Sequence, residues 1–162
     1  MAFTIEVDGL EQLMKNMEKL PEKAARVAAE ALYDGAGVMA DAVSQAVQGI
    51  AAKRFKYPAP EGKQRMTSPE EKEILMNAKH GIAKFRNDGV TISTSVGFQN
   101  SGYAELNGKR VPVQKIANAI NSGTSFMKKQ PFLRKAFSQN RAKATNTIEE
   151  GIRKRENELN ID

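Results

Sequence analysis

Histidine occurs once, at His80, and cysteine does not occur at all. One imidazole without a thiolate makes no zinc site, and with no partner evident in the sequence His80 reads as a helix end rather than a general base. Ser44, Ser122 and Ser125 lack the glycine spacing of a nucleophile elbow. No phosphate loop of the Gly-x-x-x-x-Gly-Lys-Ser/Thr kind appears, and no Gly-x-Gly-x-x-Gly follows a strand. Glu70-Glu71 and Glu149-Glu150 read as helix-surface acids. The expectation is a protein without catalytic residues, metal or cofactor.

What stands out instead is charge. The formal balance of +6 is unevenly spread over 162 residues. Residues 1–52 hold four basic and eight acidic side chains, whereas 53–65 hold Lys53, Arg54, Lys56, Lys63 and Arg65 against Glu61 alone. Residues 113–137 add five cations and no acid. A chain polarised in this way suits charged partners. The five cations of the basic loop are the candidate partner interface. Aromatic residues make up 6% of the chain and tryptophan is absent, which argues against a stacking platform for single-stranded nucleic acid. No apolar run reaches the ~18 residues of a membrane span, so no membrane partner is expected.

The element that must organise these residues is the stretch from Glu22 to Ala52. Ala28, Leu32, Ala36, Met39, Val43, Val47 and Ile50 recur there at steps of three or four, which predicts one amphipathic helix of roughly 45 Å. Gly35 and Gly37 interrupt it, marking either a bend or the close approach of a neighbour. Before it, Phe3, Ile5 and Val7 alternate as a short strand, and Leu10, Leu13, Met14, Met17 and Leu20 predict a helix from Gly9 that Pro21 either ends or kinks. Residues 53–67 break every periodicity and read as a solvated irregular loop. Ser68-Pro69-Glu70-Glu71 then starts a helix over 69–79.

From Gly81 the period becomes two. Strands over 81–86 and 90–98 flank Asn87-Asp88-Gly89, and in the second strand the small polar face of Thr91, Ser93, Ser95 and Gly97 is either solvated or set against another subunit. Residues 99–111 read as loop. A short helix follows Pro112, with Val113, Ile116, Ala117 and Ile120 inward and Gly123 as its cap. The last helix, 131–160, carries an apolar stripe that thins after Phe137, so its distal half is expected to touch another chain or stand in solvent. Pro131, Phe132 and Leu133 should anchor it in the core. The whole reads as a single α+β domain over 1–162: a small antiparallel sheet packed on a long N-terminal and a long C-terminal helix.

Gly-Tyr-Ala-Glu (102–105), Ser-Gly-Thr-Ser (122–125) and Gln-Pro-Phe-Leu-Arg-Lys-Ala (130–136) resemble the minor tail or tail-completion family of long-tailed bacteriophages, as does the order of elements. Val7-Asp8-Gly9-Leu10 matches that family's opening strand and helix. Its most specific words are Gly123-Thr124 and Pro131–Ala136. Lys135 stands where the family usually has proline, Asn121 where it often has an acid, and the basic loop 53–67 replaces a Pro-x-x-Thr-Gly turn.

The resemblance implies a structural virion protein of the tail or neck, assembled in the bacterial cytoplasm. Such a protein forms a ring, hexameric by expectation, between the tail tube protein and the head-side connector or stopper. Gly123, Thr124, Pro131, Phe132 and Leu133 would be its structural anchor. The basic loop would meet a protein neighbour or DNA in the channel. The alternative reading is a small basic nucleic-acid-binding protein.

Overall fold

The computed structural model describes residues 3–7, 21–55, 62–79, 81–82, 85–89 and 91–159. The helix expected from Gly9, together with Lys56 and His80, lies outside them. The elements are β1 (Phe3–Val7), α1 (Pro21–Gln48), α2 (Pro69–Asn77), β2 (Gly81–Ile82), β3 (Arg86–Asn87), β4 (Ile92–Gly97), β5 (Tyr103–Leu106), β6 (Lys109–Pro112), α3 (Val113–Ser122) and α4 (Phe132–Leu159). The class is α+β, with long N-terminal and C-terminal helices and a small antiparallel sheet. Two compact units share these elements: residues 3–40, 82–96 and 140–162 form one, and 1–2, 41–81 and 97–139 the other.

In the unit holding the chain's first strand, β1 pairs antiparallel with β4, from Phe3 opposite Val96 to Val7 opposite Ile92. On β4, Ile92, Thr94 and Val96 are buried and Ser93 and Ser95 half-buried, as strict alternation requires. The hairpin before β4 turns one residue later than expected. Asn87 pairs with Ile92 as part of β3. Its side chain accepts from the Gly89 N–H at 2.9 Å, and Asp88 accepts from the Thr91 N–H at 2.6 Å, the local bonding that favours Asn and Asp in turns.

The first half of α1 buries Ala24, Ala28, Ala31, Leu32 and Ala36. Gly35 is the contact point with α4: a methyl there would lie 2.7 Å from Ile148 Cδ1 and 3.1 Å from the Ala144 carbonyl oxygen. A methyl on Gly151 would meet Ala31 Cβ at 3.2 Å. Small residues on both helices allow this approach, so the sparse stripe of Ala144 and Ile148 is buried here. Beyond Ile148 no described residue of α4 is buried, and Glu149, Glu150, Arg153, Lys154, Asn157 and Glu158 are exposed, in keeping with the expectation that much of the distal half stands in solvent. Arg155 fastens the same seam, donating to Glu30 at 3.0 Å and to Asp34 at 2.9 Å.

The other unit gathers the end of α1 with α2, α3, the start of α4 and the β5–β6 hairpin. Val113, Ile116, Ala117 and Ile120 are buried on α3, and Phe132, Leu133, Ala136 and Phe137 on α4. Phe132 meets Phe98 edge-on, with ring centroids 6.3 Å apart. Lys72 of α2 donates from Nζ to the Gln48 carbonyl at 2.7 Å, capping the C-terminus of α1. Residues 99–111 are not a loop throughout. Leu106 pairs with Lys109 across Asn107-Gly108, both at positive φ (53° and 70°), the two-residue turn that Asn-Gly favours.

Candidate interaction surface

The ends of the basic loop are stitched into the fold. The Lys53 N–H donates to the Thr67 carbonyl at 2.9 Å, the Arg65 N–H to that of Phe126 and the Lys128 N–H to that of Arg65, both at 2.8 Å. Gln130 locks the joint from the side: Nε2 donates to the Ala51 carbonyl and to Thr67 Oγ1, while Oε1 accepts from the Ala51 N–H. Thr67 is fully buried. A stretch expected to be solvated from 53 to 67 therefore returns to the core over its last three residues, because Phe126 and Lys128 offer it backbone partners and Gln130 a side-chain one.

Within that joint the five candidate cations separate. Lys53, Arg54 and Lys63 are exposed, and Lys56 lies outside the described residues. Arg65 is not part of the exposed set. Its guanidinium makes a two-pronged pair with Glu71, donates to the Met66 carbonyl and lies 4.7 Å from the centre of the Phe55 ring. Only 14% of the Arg65 side chain and 5% of the Glu71 side chain is exposed, so Glu71 is a buried acid and not the surface one expected.

Burial pushes the Glu71 carboxyl up most strongly of any single influence. The hydrogen bonds from Arg65 and from the Ser68 N–H, with the Arg65 charge, outweigh it and hold the group below its ordinary value. The same carboxylate completes a capping box with Ser68.

The predicted anchor is assembled at one joint between α3 and α4. Gly123 sits at φ +77°, and a methyl there would press within 3.0 Å of Lys129 Cβ, so glycine fits and an L side chain does not. Thr124 Oγ1 accepts from the Met127 N–H at 3.0 Å, and Gln64 donates to the Thr124 carbonyl at 2.8 Å. Pro131 is half-buried; Phe132 and Leu133 are buried. Asn121, read in the sequence only as a departure from a motif, is 2% exposed and accepts from the Leu133 N–H at 3.1 Å. It caps α4 from the end of α3, doing the work of the missing N-cap side chain.

Beside this joint lies an open groove of about 1130 Å³. Phe55, Leu106, Val111 and Phe126 give it apolar walls, Arg54, Lys109 and Lys115 line it with positive charge, and Glu70 and Glu73 stand on the α2 side. Phe126 is 59% exposed. A second depression of about 830 Å³ shares Glu70, Glu73 and Asn107 with it, and also takes in Tyr103; Arg110 lies 4.7 Å above the Tyr103 ring. Of these lining residues only Arg54 was a candidate in the sequence. Lys109, Lys115 and Phe126 are brought to it by the hairpin, by α3 and by the pairing of 126–128 with 65.

No cluster of three or more His, Asp or Glu capable of holding a metal occurs among the described residues, and none of their helices is long and apolar enough to cross a membrane. Compared with protein-family models, curated proteins and solved structures, the chain matches none.

Proposed function

We propose that the chain is a structural virion protein of a tailed bacteriophage, a ring-forming tail-completion or neck component that joins the tail tube to the head-side connector. The observation that carries this reading is the α3–α4 joint. Gly123, Thr124, Gln130, Phe132 and Leu133, which lie in the words that resemble the tail-completion family, each have a distinct structural task there. The element order of strand, long Ala-rich helix, hairpin ending at Val96-Gly97, Gly-Thr turn and C-terminal helix supports it further. The groove, apolar at its walls and charged along its rim, is suited to a protein neighbour.

The test is to locate the chain in purified particles by electron microscopy of a tagged version, and to remove its gene. Density at the neck, with free heads and free tails accumulating in its absence, is the expected result. Absence of the chain from particles, or normal joining without it, overturns the reading. Replacing Lys53, Arg54, Lys56 and Lys63 with Ser, with Arg65 kept, should leave folding intact and reduce head-to-tail joining in a mixing assay. If joining is normal and only binding to duplex DNA falls, the alternative reading of a nucleic-acid-binding protein takes its place.

A further inference from the structure

Among the described residues, three surfaces bear comparison as places for a partner. The cleft lined by Asp34, Thr147, Glu150 and Arg155 is small, and its Arg155 is already bound to Asp34 and Glu30. The exposed Tyr33–Phe85 ring pair, with centroids 6.4 Å apart, lines none of the described clefts. The groove beside the joint differs from both. Arg54, Lys109 and Lys115 line it, and none of them forms an ion pair among the described residues. Phe126 stands largely in solvent at its side.

We infer that this groove receives the acidic segment Glu156–Asp162 of a second copy of the chain. The segment reads Glu-Asn-Glu-Leu-Asn-Ile-Asp: three carboxylates, no cation, and two branched apolar residues, Leu159 and Ile161, two positions apart. Leu159 and Ile161 match the Phe55, Leu106, Val111 and Phe126 walls, and Glu158 and Asp162 match the three cations. The two asparagines suit the Glu70 and Glu73 side, where an amide can donate to a carboxylate. A nucleic-acid strand suits the groove less well, because those two glutamates would face its phosphates.

Arg155 ties the last turns of α4 to α1 through Glu30 and Asp34, and Glu156–Leu159 complete that helix, so the segment starts from a fixed point. The contact joins two different surfaces of the same chain, and a heterologous contact of that kind closes into a ring when its rotation permits. This inference rests on the ring reading above for the presence of neighbouring copies. A ring would also raise the effective concentration of the segment at the groove.

The chain has no native cysteine, which makes disulfide trapping clean. Full-length Phe126→Cys is mixed with full-length Ile161→Cys and oxidised, both at high concentration in solution and in purified particles. A covalent dimer is expected in far higher yield than from Ile161→Cys mixed with Met76→Cys, whose side chain is exposed in the same unit. Adding Lys109→Glu and Lys115→Glu to the groove copy should lower the yield at least tenfold. Adding Glu158→Lys and Asp162→Lys to the other copy should then restore it, an outcome that loss of folding cannot imitate.

No yield above the control pair, or no response to the charge exchange, overturns the inference. So does closure of the disulfide within one dilute chain carrying both cysteines, and so does a groove whose charge reversal weakens only binding to a duplex DNA probe. A trapped dimer from a protein absent from particles would sink the virion reading alone. A protein located at the neck that traps no dimer there would sink this inference alone.

Discussion

Arg65 and Glu71 meet through two parallel hydrogen bonds, Nη1 to Oε2 at 2.8 Å and Nη2 to Oε1 at 2.6 Å. This is the fork geometry that makes arginine hard to replace by lysine. Breaking a buried pair from one side strands the other charge, at a cost of about 3–5 kcal/mol. Arg65→Met should fall near the lower figure, because part of the arginine still reaches water. Adding Glu71→Gln to Arg65→Met should recover part of the loss by removing the stranded charge. Urea unfolding of the three variants checks the order.

The same pair sets an acid limit on the fold. The carboxyl of Glu71 is held below its ordinary value in the folded chain. A depressed carboxylate contributes stability that is complete above the unfolded pKa and is lost as pH falls through the folded one. Stability should therefore hold above pH about 5 and decline below about 4.5, and the decline should be shallower in Glu71→Gln. Melting temperatures measured between pH 7 and pH 3 test this; parallel curves for the two proteins would remove the claim.

Gly35 and Gly37 lie two residues apart on α1 and should respond oppositely to alanine. A methyl on Gly35 collides with Ile148 and the Ala144 carbonyl, while one on Gly37 has nothing within 4 Å. Gly35→Ala should destabilise by about 1–3 kcal/mol through overpacking. Gly37→Ala should stabilise by about 0.5–1 kcal/mol through helix propensity. Thermal unfolding of both variants decides it, and equal shifts would contradict the described seam.

The α3–α4 joint offers a graded series. Phe132→Ala and Leu133→Ala each remove a buried side chain and should cost about 2–5 kcal/mol. Asn121→Ala leaves the Leu133 N–H without its acceptor and should cost about 1–2 kcal/mol. Asn121→Asp keeps that acceptor and places negative charge at the N-terminus of α4, so it should cost less than Asn121→Ala. Denaturant midpoints for the four variants give the ranking.

The long helices were legible because their information is periodic. All seven stripe residues from Ala28 to Ile50 are buried, and α2 and α3 start and stop within two residues of where capping chemistry puts them. The β5–β6 hairpin was harder to see. Asn107-Gly108 signals it, yet Tyr103, Glu105, Lys109 and Arg110 are exposed, leaving no continuous apolar face for a period of two to show. The seam between α1 and α4 was half legible: Gly35 could mark the close approach of a neighbour, but nothing in the sequence names Ala144 and Ile148 as that neighbour.

The site was legible only in part. The exposed cations of 53–63 could be read directly, whereas the groove draws Leu106, Lys109, Lys115 and Phe126 from separate elements. No spacing in a linear sequence encodes that meeting. Arg65 looked like its neighbours because a cation beside proline and glycine carries no local mark of its partner, and Glu71 had already been accounted for as a first-turn acid.

The bonds that join Lys53 to Thr67 and Arg65 to Phe126 and Lys128 hold both ends of the intervening stretch at fixed points. A chain clamped at its two ends can be lengthened cheaply, since each doubling of a flexible connection costs only about 0.6 kcal/mol. An epitope or fluorophore tag inserted between residues 56 and 61 should therefore cost the fold little, whereas Arg54 and Phe55, which line the groove, and Gln64, which donates to the Thr124 carbonyl, are tied to the rest of the molecule. Recognition written there could be rewritten for a new neighbour without redesigning the body that presents it.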